Sequence, residues 1–455
     1  MLPAVMTSPD RTESAEPTNA RQVAMRFIAE QIRRWPDLDL RPLATAGLDE
    51  RDARLAQAIC AETVRRWKTL ESLLNARLRR PLIENEVNLQ AALLVGAAQI
   101  FFLEHQPDYA VVNETVAWAK RRVRPKAGGL VNAVLRSMID LRGEFLETRP
   151  GVSAEALPLS DGRWLTLADA VLPEDPIERL AVQTSHPVEL IARWNNRCSP
   201  AELERLALHS LVIAPTLIVG LPSEVIDSHD DLVPHNAPGF AAWSGSHAGL
   251  VELLGEHRDA RVQDPMSFDA VRRTREATGP VDLIADVCAG SGTKTAHLAL
   301  AYPEAKIIAT DVDRRRFSML HQRFADSDRV AVIERERLME FAGRVDLLLL
   351  DVPCSNSGTL ARRVEAKYRV DTGHLASLVA LQKQVVADHL ALRGGKSLIA
   401  YSTCSLEPEE NEAQSAWINR WHRTRVVTEF SQKPAGTPGD SPAGYRDGGY
   451  LALLG

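Results

Sequence analysis

Val345-Asp346-Leu347-Leu348-Leu349-Leu350-Asp351-Val352-Pro353-Cys354 is an apolar run that ends in an acid, a proline and a cysteine. Short apolar runs bounded by turn residues have the signature of strands buried on both faces. The pattern recurs downstream, where Lys396-Ser397-Leu398-Ile399-Ala400 leads into Tyr401-Ser402-Thr403-Cys404. In an open α/β sheet, ligands and chemistry gather at the carboxyl ends of the strands. Two thiols delivered to that edge suggest one site with two cysteines. A thiolate is a good attacking group for the electron-poor C6 of a pyrimidine, and a second group is then needed to undo the adduct.

Working back from this pair, three more strands are readable: Val281-Asp282-Leu283-Ile284-Ala285-Asp286, Lys306-Ile307-Ile308-Ala309-Thr310-Asp311 and Val330-Ala331-Val332-Ile333. Helical stretches separate them, which predicts a parallel, doubly wound, Rossmann-like sheet over residues 259–455. The first half of the chain has a different period. Ala20, Val23, Ala24, Phe27 and Ile28 recur at helical spacing, as do Leu55, Ile59, Val64 and Trp67. Leu89 to Phe101 is apolar almost all round, as a central helix would be, and Val111–Val123 and Leu130–Leu141 add two more. The expected fold is therefore multidomain, α plus α/β. Residues 1–18 read as a polar, disordered tail, 19–142 as an all-α bundle, 143–185 as a linker and 186–258 as a connecting α/β module containing a strand at Leu217-Ile218-Val219.

Bulk properties narrow the class. The chain has 455 residues, 45% of them hydrophobic and 25% charged, ordinary values for a globular protein. The net charge is −6, yet residues 1–145 hold 21 Lys and Arg against 18 Asp and Glu, which leaves −9 for the rest. A nucleic-acid footprint must then be a local patch. Five widely spaced cysteines with no zinc-finger spacing argue for reduced thiols, no metal and no disulfide framework. No stretch approaches the ~18 consecutive apolar residues of a membrane span, and no signal segment is evident. A cytoplasmic monomer is expected.

Asp286-Val287-Cys288-Ala289-Gly290-Ser291-Gly292-Thr293-Lys294-Thr295 is a strand–turn–helix with two glycines. Such a turn lets the backbone approach a cofactor and aims free amides at it. The Gly290-to-Lys294 spacing is too short for a P-loop. Asp311 closes the next strand, where an acid is placed to hold ribose hydroxyls; helix capping before Asp313 is the plainer alternative. Lys120, Arg121 and Arg122, with Arg124 and Lys126, form the densest basic run, either a solvated helix end or a phosphate-contacting patch.

These motifs together resemble the Sun family, RsmB type, of S-adenosylmethionine-dependent ribosomal RNA cytosine-5 methyltransferases. Asp286 to Thr295 is similar to the family's cofactor turn, and Asp351-Val352-Pro353-Cys354-Ser355 to its Asp-Ala-Pro-Cys-Ser. Tyr401-Ser402-Thr403-Cys404-Ser405 with Pro408-Glu409-Glu410-Asn411-Glu412 matches almost letter for letter. Gln263-Asp264 with Ser267, and Asp447-Gly448-Gly449-Tyr450, also resemble its signatures. Val112-Asn113-Glu114-Thr115-Val116 and Leu130 to Arg136 resemble the NusB-like RNA-binding domain that precedes the catalytic domain in this type.

The resemblance implies S-adenosylmethionine as cofactor and RNA, small-subunit ribosomal RNA above all, as substrate. It makes Cys404 the nucleophile and Cys354 the residue that helps remove the C5 proton and release the product. Asp351 would hold the base edge beside Lys294. Asp286, Cys288, Ala289, Gly290, Ser291, Gly292, Lys294, Asp311, Glu336 and Asp351 would line the cofactor site, and Arg362 and Lys367 would meet RNA. Some positions depart from the family pattern. Ser291-Gly292-Thr293 replaces Pro-Gly-Gly, the acid after the third strand aligns with Glu336, and the segment Ala361 to Tyr368 lacks the family's His and Pro. A diverged RNA-docking protein without activity, or a transfer-RNA methyltransferase, are the alternative readings.

Overall fold

The computed structural model describes residues 19–455 apart from 41, 105, 152 and 153; the expectation of a disordered tail at 1–18 lies outside them. The chain divides into two compact units that meet at Arg142 and Gly143.

The first unit is all helical: α1 (Ala20–Arg34), α2 (Glu50–Arg65), α3 (Trp67–Asn75), α4 (Val87–Phe102), α5 (Asp108–Arg122) and α6 (Ala127–Leu141). Asn19 caps α1 by accepting from the Gln22 amide, and Asp49 caps α2 in the same way from Asp52. Nearly all of α4 is buried, from Leu89 to Phe101, as its continuous apolar sequence requires. Lys120, Arg121 and Arg122 form the last turn of α5, exposed, where positive charge complements the helix dipole.

The second unit opens with a small sheet of β1 (Arg142–Leu146), β2 (Ala156–Pro158) and β3 (Trp164–Leu167), in the order β1-β3-β2. Here the structure corrects the expected linker at 143–185. The short strands are stabilised by burying Leu157, Trp164 and Leu165, apolar residues too few to show a period in the sequence. Helices α7 (Pro176–Thr184), α8 (Val188–Asn195) and α9 (Pro200–His209) follow. A four-stranded antiparallel sheet, β5-β6-β4-β7, is built from β4 (Thr216–Val219), β5 (Leu232–Pro234), β6 (Phe240–Trp243) and β7 (Arg261–Val262), with α10 (Ser223–Ser228) and α11 (His247–Glu256) in its connections.

The main sheet has seven strands: β8 (Leu283–Asp286), β9 (Lys306–Ala309), β10 (Val330–Val332), β11 (Val345–Asp351), β12 (Arg393–Thr403), β13 (Val426–Gln432) and β14 (Gly449–Leu454). Their order is β10-β9-β8-β11-β12-β14-β13. The first five are parallel, as the sequence predicts; β14 and β13 are antiparallel additions. Helices cover both faces. Residues of α12 (Pro265–Thr278), α13 (Thr293–Ala301) and α14 (Arg314–Arg323) pack on one side, and of α15 (Thr372–His389) and α16 (Glu412–Trp421) on the other. This double cover explains why β11 is an unbroken apolar run: Leu347 and Leu349 face one core, Leu348 and Leu350 the other. Truncating such a leucine to alanine costs about 2–5 kcal/mol.

The strand order reverses between β8 and β11. The chain leaves β8 toward β9 and β10, then returns to β8's other side. Such a reversal opens a crevice at the carboxyl ends of the two central strands. The glycine turn follows one of them and Asp351 ends the other.

Candidate active site

The turn after β8 is shaped by its glycines. Gly290 and Gly292 both have left-handed φ, +60° and +85°, and a Cβ on Gly292 would come within 2.6 Å of the Phe324 ring. Ser291 stands between them without needing that freedom. Asp286 is fully buried beneath the turn. Its Oδ2 accepts from Thr295 Oγ1 at 2.7 Å, while its Oδ1 has no partner. Burial pushes its carboxyl up to about 7, against the pull of the Thr295 hydrogen bond. Asp311 receives the Gly290 amide at 2.8 Å and the Asp313 amide at 2.8 Å, so it braces the turn from the end of β9. Ala289 donates to the Thr310 carbonyl. Burial raises the Cys288 thiol far above its ordinary range, which makes it a packing residue. Glu336 is exposed on a 3-10 turn (Arg335–Phe341) after β10, with no hydrogen bond or ion pair among the described residues.

Lys294, on the first turn of α13, reaches across the crevice to Asp351, Nζ to Oδ2 at 2.7 Å. Burial opposes its charge, but Asp351 holds the amine above its usual value. Asp351 pairs in register with Ser402 of the adjacent parallel strand, so the loops after β11 and β12 leave the sheet side by side. That adjacency brings Cys354 and Cys404 together with their sulfurs 3.2 Å apart. The Cys404 thiol contacts Asn356 Oδ1 at 3.1 Å, and Asn356 Nδ2 donates to the Cys354 carbonyl at 2.9 Å. Asn356 sits at φ 59°, a left-handed conformation that Asn tolerates better than most residues. The contact with Cys404, together with burial, drives the Cys354 thiol well above its ordinary value, so Cys354 keeps its proton.

Several residues of the site were not singled out from sequence. Glu410 is buried and accepts from the Ser355 amide, the Ser355 and Ser405 hydroxyls and Gln382 Nε2, tying the two cysteine loops to α15. Thr403 Oγ1 donates to Asn411 Oδ1 at 2.6 Å. Glu407, wholly buried, is held by Arg193, Arg197 and Trp194 Nε1 of the α8 region. The signal was present, since Glu407, Glu410 and Asn411 all belong to the segment just after Cys404, but it carried no geometry. Gly358 marks how tightly these loops pack: a Cβ there would lie 2.6 Å from the Gly448 carbonyl and 2.9 Å from that of Cys404.

Beside Cys404 lies a cleft of about 60 Å³ lined by Asp264, Ser267, Lys294, Thr359, Cys404 and Asp447. Asp264 caps α12 through the Met266 amide and also accepts the Asp447 amide. Burial, then the charge of Asp447, raises its carboxyl to about 7. Arg362 spans the two acids, 2.9 Å from Asp447 and 3.6 Å from Asp264, over the Tyr445 ring. It is thus a brace of the cleft wall with a partly exposed edge. Lys367 corrects the expectation of an RNA contact. It is fully buried, and its ammonium donates to the Thr184 carbonyl, so it cannot meet a ligand at the surface. Lys120, Arg121 and Arg122 belong to the first unit. Among the described residues no cluster of His, Cys, Asp and Glu could hold a metal, and no helix is long and apolar enough to cross a membrane.

Comparison with known proteins places both halves of the chain among known families. Residues 277–440 match the family model for 16S rRNA methyltransferase RsmB/F, and residues 18–140 match that of the NusB family. The chain is 28% identical over 428 residues to ribosomal RNA small subunit methyltransferase B of Vibrio cholerae, covering 91% of this chain and 92% of that protein. It is 26% identical over 451 residues to the Escherichia coli protein of the same name, covering 96% and 98%. The crystal structure of PH0851 superposes with a TM-score of 0.70 over 96% of this chain and 99% of that one, at 19% identity, a likeness of fold. Residues 277–440 are an RsmB/F-type methyltransferase domain and residues 18–140 a NusB-family domain, and the chain is an S-adenosylmethionine-dependent RNA methyltransferase.

Proposed function

We propose that the enzyme methylates C5 of a cytosine in small-subunit ribosomal RNA through a covalent bond between Cys404 and C6 of the base. The observation that carries this reading is the pair of sulfurs 3.2 Å apart at the ends of two adjacent parallel strands. The names of the curated relatives favour ribosomal RNA as the substrate.

The residues at the glycine turn fit S-adenosylmethionine. A buried carboxylate oxygen of Asp286 lacks a partner, Gly290 and Gly292 keep the turn open, and Asp311 stands at the end of the second strand for ribose hydroxyls. Ala289, Ser291, Cys288, Lys294 and Asp351 complete that wall. Glu336, exposed on the 3-10 turn after the third strand, is the further acid of that wall. When bound, the cofactor supplies an electrophilic methyl group.

The protein's part follows from its own groups. Cys404 gives its proton to solvent, and its thiolate sulfur bonds C6, which places electron density on C5. Asp351 holds the base edge and stabilises charge at N3 and the exocyclic amine, with Lys294 fixing the carboxylate. Once C5 carries the new methyl, its remaining proton must leave as the C6–S bond breaks. Cys354 takes that proton in its thiolate form, its own proton having passed to solvent, and the C6–S electrons return to Cys404 as its thiolate. The NusB-like unit is an RNA-docking module, with Lys120, Arg121 and Arg122 on phosphates, and Arg362 lies partly exposed in the cleft wall that RNA meets.

The test is to incubate the purified protein with labelled S-adenosylmethionine and unmodified small-subunit ribosomal RNA, then map 5-methylcytosine. Label at a single cytosine is the expected result. No label with cofactor binding intact would overturn the choice of ribosomal RNA.

A further inference from the structure

All five cysteines are free, and two of them already touch. The sulfurs of Cys354 and Cys404 lie 3.2 Å apart. A disulfide holds its sulfurs at about 2.05 Å, so a closure of about 1 Å separates this contact from a covalent bond. The loops that carry the two thiols leave strands paired at Asp351 and Ser402. Neighbouring strands hold their backbones within the span that a disulfide bridges. Cys60, Cys198 and Cys288 make no such sulfur contact among the described residues.

The pair is also held together on its far side. Ser355 and Ser405, each next to one of the cysteines, are in hydrogen-bond contact at 3.1 Å, and both donate to Glu410. The Gly358 amide donates to the Cys404 carbonyl at 2.9 Å. The entropy of bringing two distant segments together has thus been offset by folding itself, and bridging the thiols asks for no further ordering of the loops.

A small oxidant has a way in. Cys404 lines the cleft of about 60 Å³ together with Lys294. A nearby ammonium favours the thiolate, which is the form that reacts with peroxide.

We infer that Cys354 and Cys404 are an oxidation site, at which a hydroperoxide makes a reversible disulfide that switches the enzyme off and shields its nucleophile. The loss of activity rests on the reading of Cys404 as nucleophile given above; the bridge itself does not. With hydrogen peroxide, the Cys404 thiolate attacks one oxygen and the O–O bond breaks. The leaving hydroxide takes from solvent the proton that Cys404 gave up, and Cys404 becomes a sulfenic acid. The Cys354 sulfur then attacks the Cys404 sulfur. The S–OH bond breaks, and the hydroxide leaves with the Cys354 proton as a second water. Two thiols and one hydrogen peroxide give one disulfide and two waters, so the thiols lose two electrons and the peroxide gains them. A dithiol restores both thiols by exchange. Without Cys354 the sulfenic acid stays open to sulfinic and sulfonic acids, which are not readily reversed.

The experiment treats the reduced full-length enzyme with hydrogen peroxide and removes the excess with catalase. Intact mass, peptide mapping and methylation of unmodified small-subunit ribosomal RNA transcript are then read before and after dithiothreitol. The expected protein is lighter by two hydrogen atoms, carries a Cys354–Cys404 cross-linked peptide and has lost activity at least about tenfold. Dithiothreitol should return both mass and activity. In Cys354→Ser the same treatment should give no cross-link and a Cys404 sulfenic acid that dimedone traps, a result read by mass alone. Oxygen added to Cys404 of the wild type with no bridge, or a bridge to another cysteine, overturns the inference. A bridged enzyme as active as the reduced one overturns the switch and the role of Cys404 together. A reduced enzyme that never labels the transcript overturns the ribosomal RNA reading, while a mapped and reversible bridge still upholds the oxidation site. Melting curves of the oxidised protein guard against unfolding as the cause of lost activity.

Discussion

Cys354 and Cys404 stand 50 residues apart in the chain, yet their sulfurs are 3.2 Å apart. Replacing Cys404 by serine is expected to lower turnover by at least about a thousandfold, because the attacking atom is lost. Replacing Cys354 by alanine leaves attack possible and slows release. A protein–RNA species resistant to denaturant should then accumulate. A Cys354→Ala enzyme that releases methylated RNA at the wild-type rate would sink the two-cysteine mechanism.

Glu410 makes a second prediction. It accepts from four donors and is the knot between both cysteine loops and α15. An amide in its place turns one acceptor into a donor that faces other donors. Glu410→Gln should cost about 1–3 kcal/mol of stability by urea unfolding. It should lower kcat more than it raises KM for the cofactor. Equal stability and equal kcat would show that the loops hold without it.

Glu407 is wholly buried and ion-paired with Arg193 and Arg197. Removing both arginines strands a carboxylate in the interior, a change of about 3–5 kcal/mol. Adding Glu407→Gln to that double variant should restore part of the loss. Thermal melting of the three proteins decides it, and no recovery in the triple variant would count against the ion-pair account.

Acidity gives a fourth. Asp286 has its carboxyl raised to about 7 by burial, so the folded protein holds a proton that the unfolded chain releases from about pH 4 upward. The stabilising contribution is therefore full at low pH and is lost as pH rises toward 7, with a slope of up to ~1.4 kcal/mol per pH unit for one proton. Asp264 has the same sign. Ligand-free Asp286→Asn should show a flatter dependence of unfolding free energy on pH between 4 and 7. A slope equal to that of the wild type would refute the assignment.

The parallel core was readable because double burial writes itself as apolar runs, and the cysteines because they follow those runs directly. Strand β13 was not, since its side chains are largely exposed and polar and show no apolar run. Residues 143–185 hid their strands because three- to five-residue elements are too short to show a period. Lys367 misled for a related reason. A lysine reads as surface, and only the tertiary meeting with Thr184, 183 residues away, buries it. Asn356 depends on a left-handed backbone that no residue type announces. Glu410 was in plain view within its motif, but its four partners come from three separate segments.

The side-by-side exit of β11 and β12 has an engineering consequence. Neighbouring strands in a sheet lie about 4.8 Å apart, so backbone pairing brings the two cysteine loops out side by side, and the loop contacts through Asn356 and Glu410 set the final spacing of the thiols. The intervening stretch, which contains α15, could be lengthened or cut at an exposed bend while the thiol pair stays in place. A one-residue insertion inside either strand would turn a cysteine loop to the opposite face of the sheet. Tolerance to insertion should therefore change abruptly at the strand ends, and a random-insertion library selected for activity would trace those two boundaries without any structure in hand.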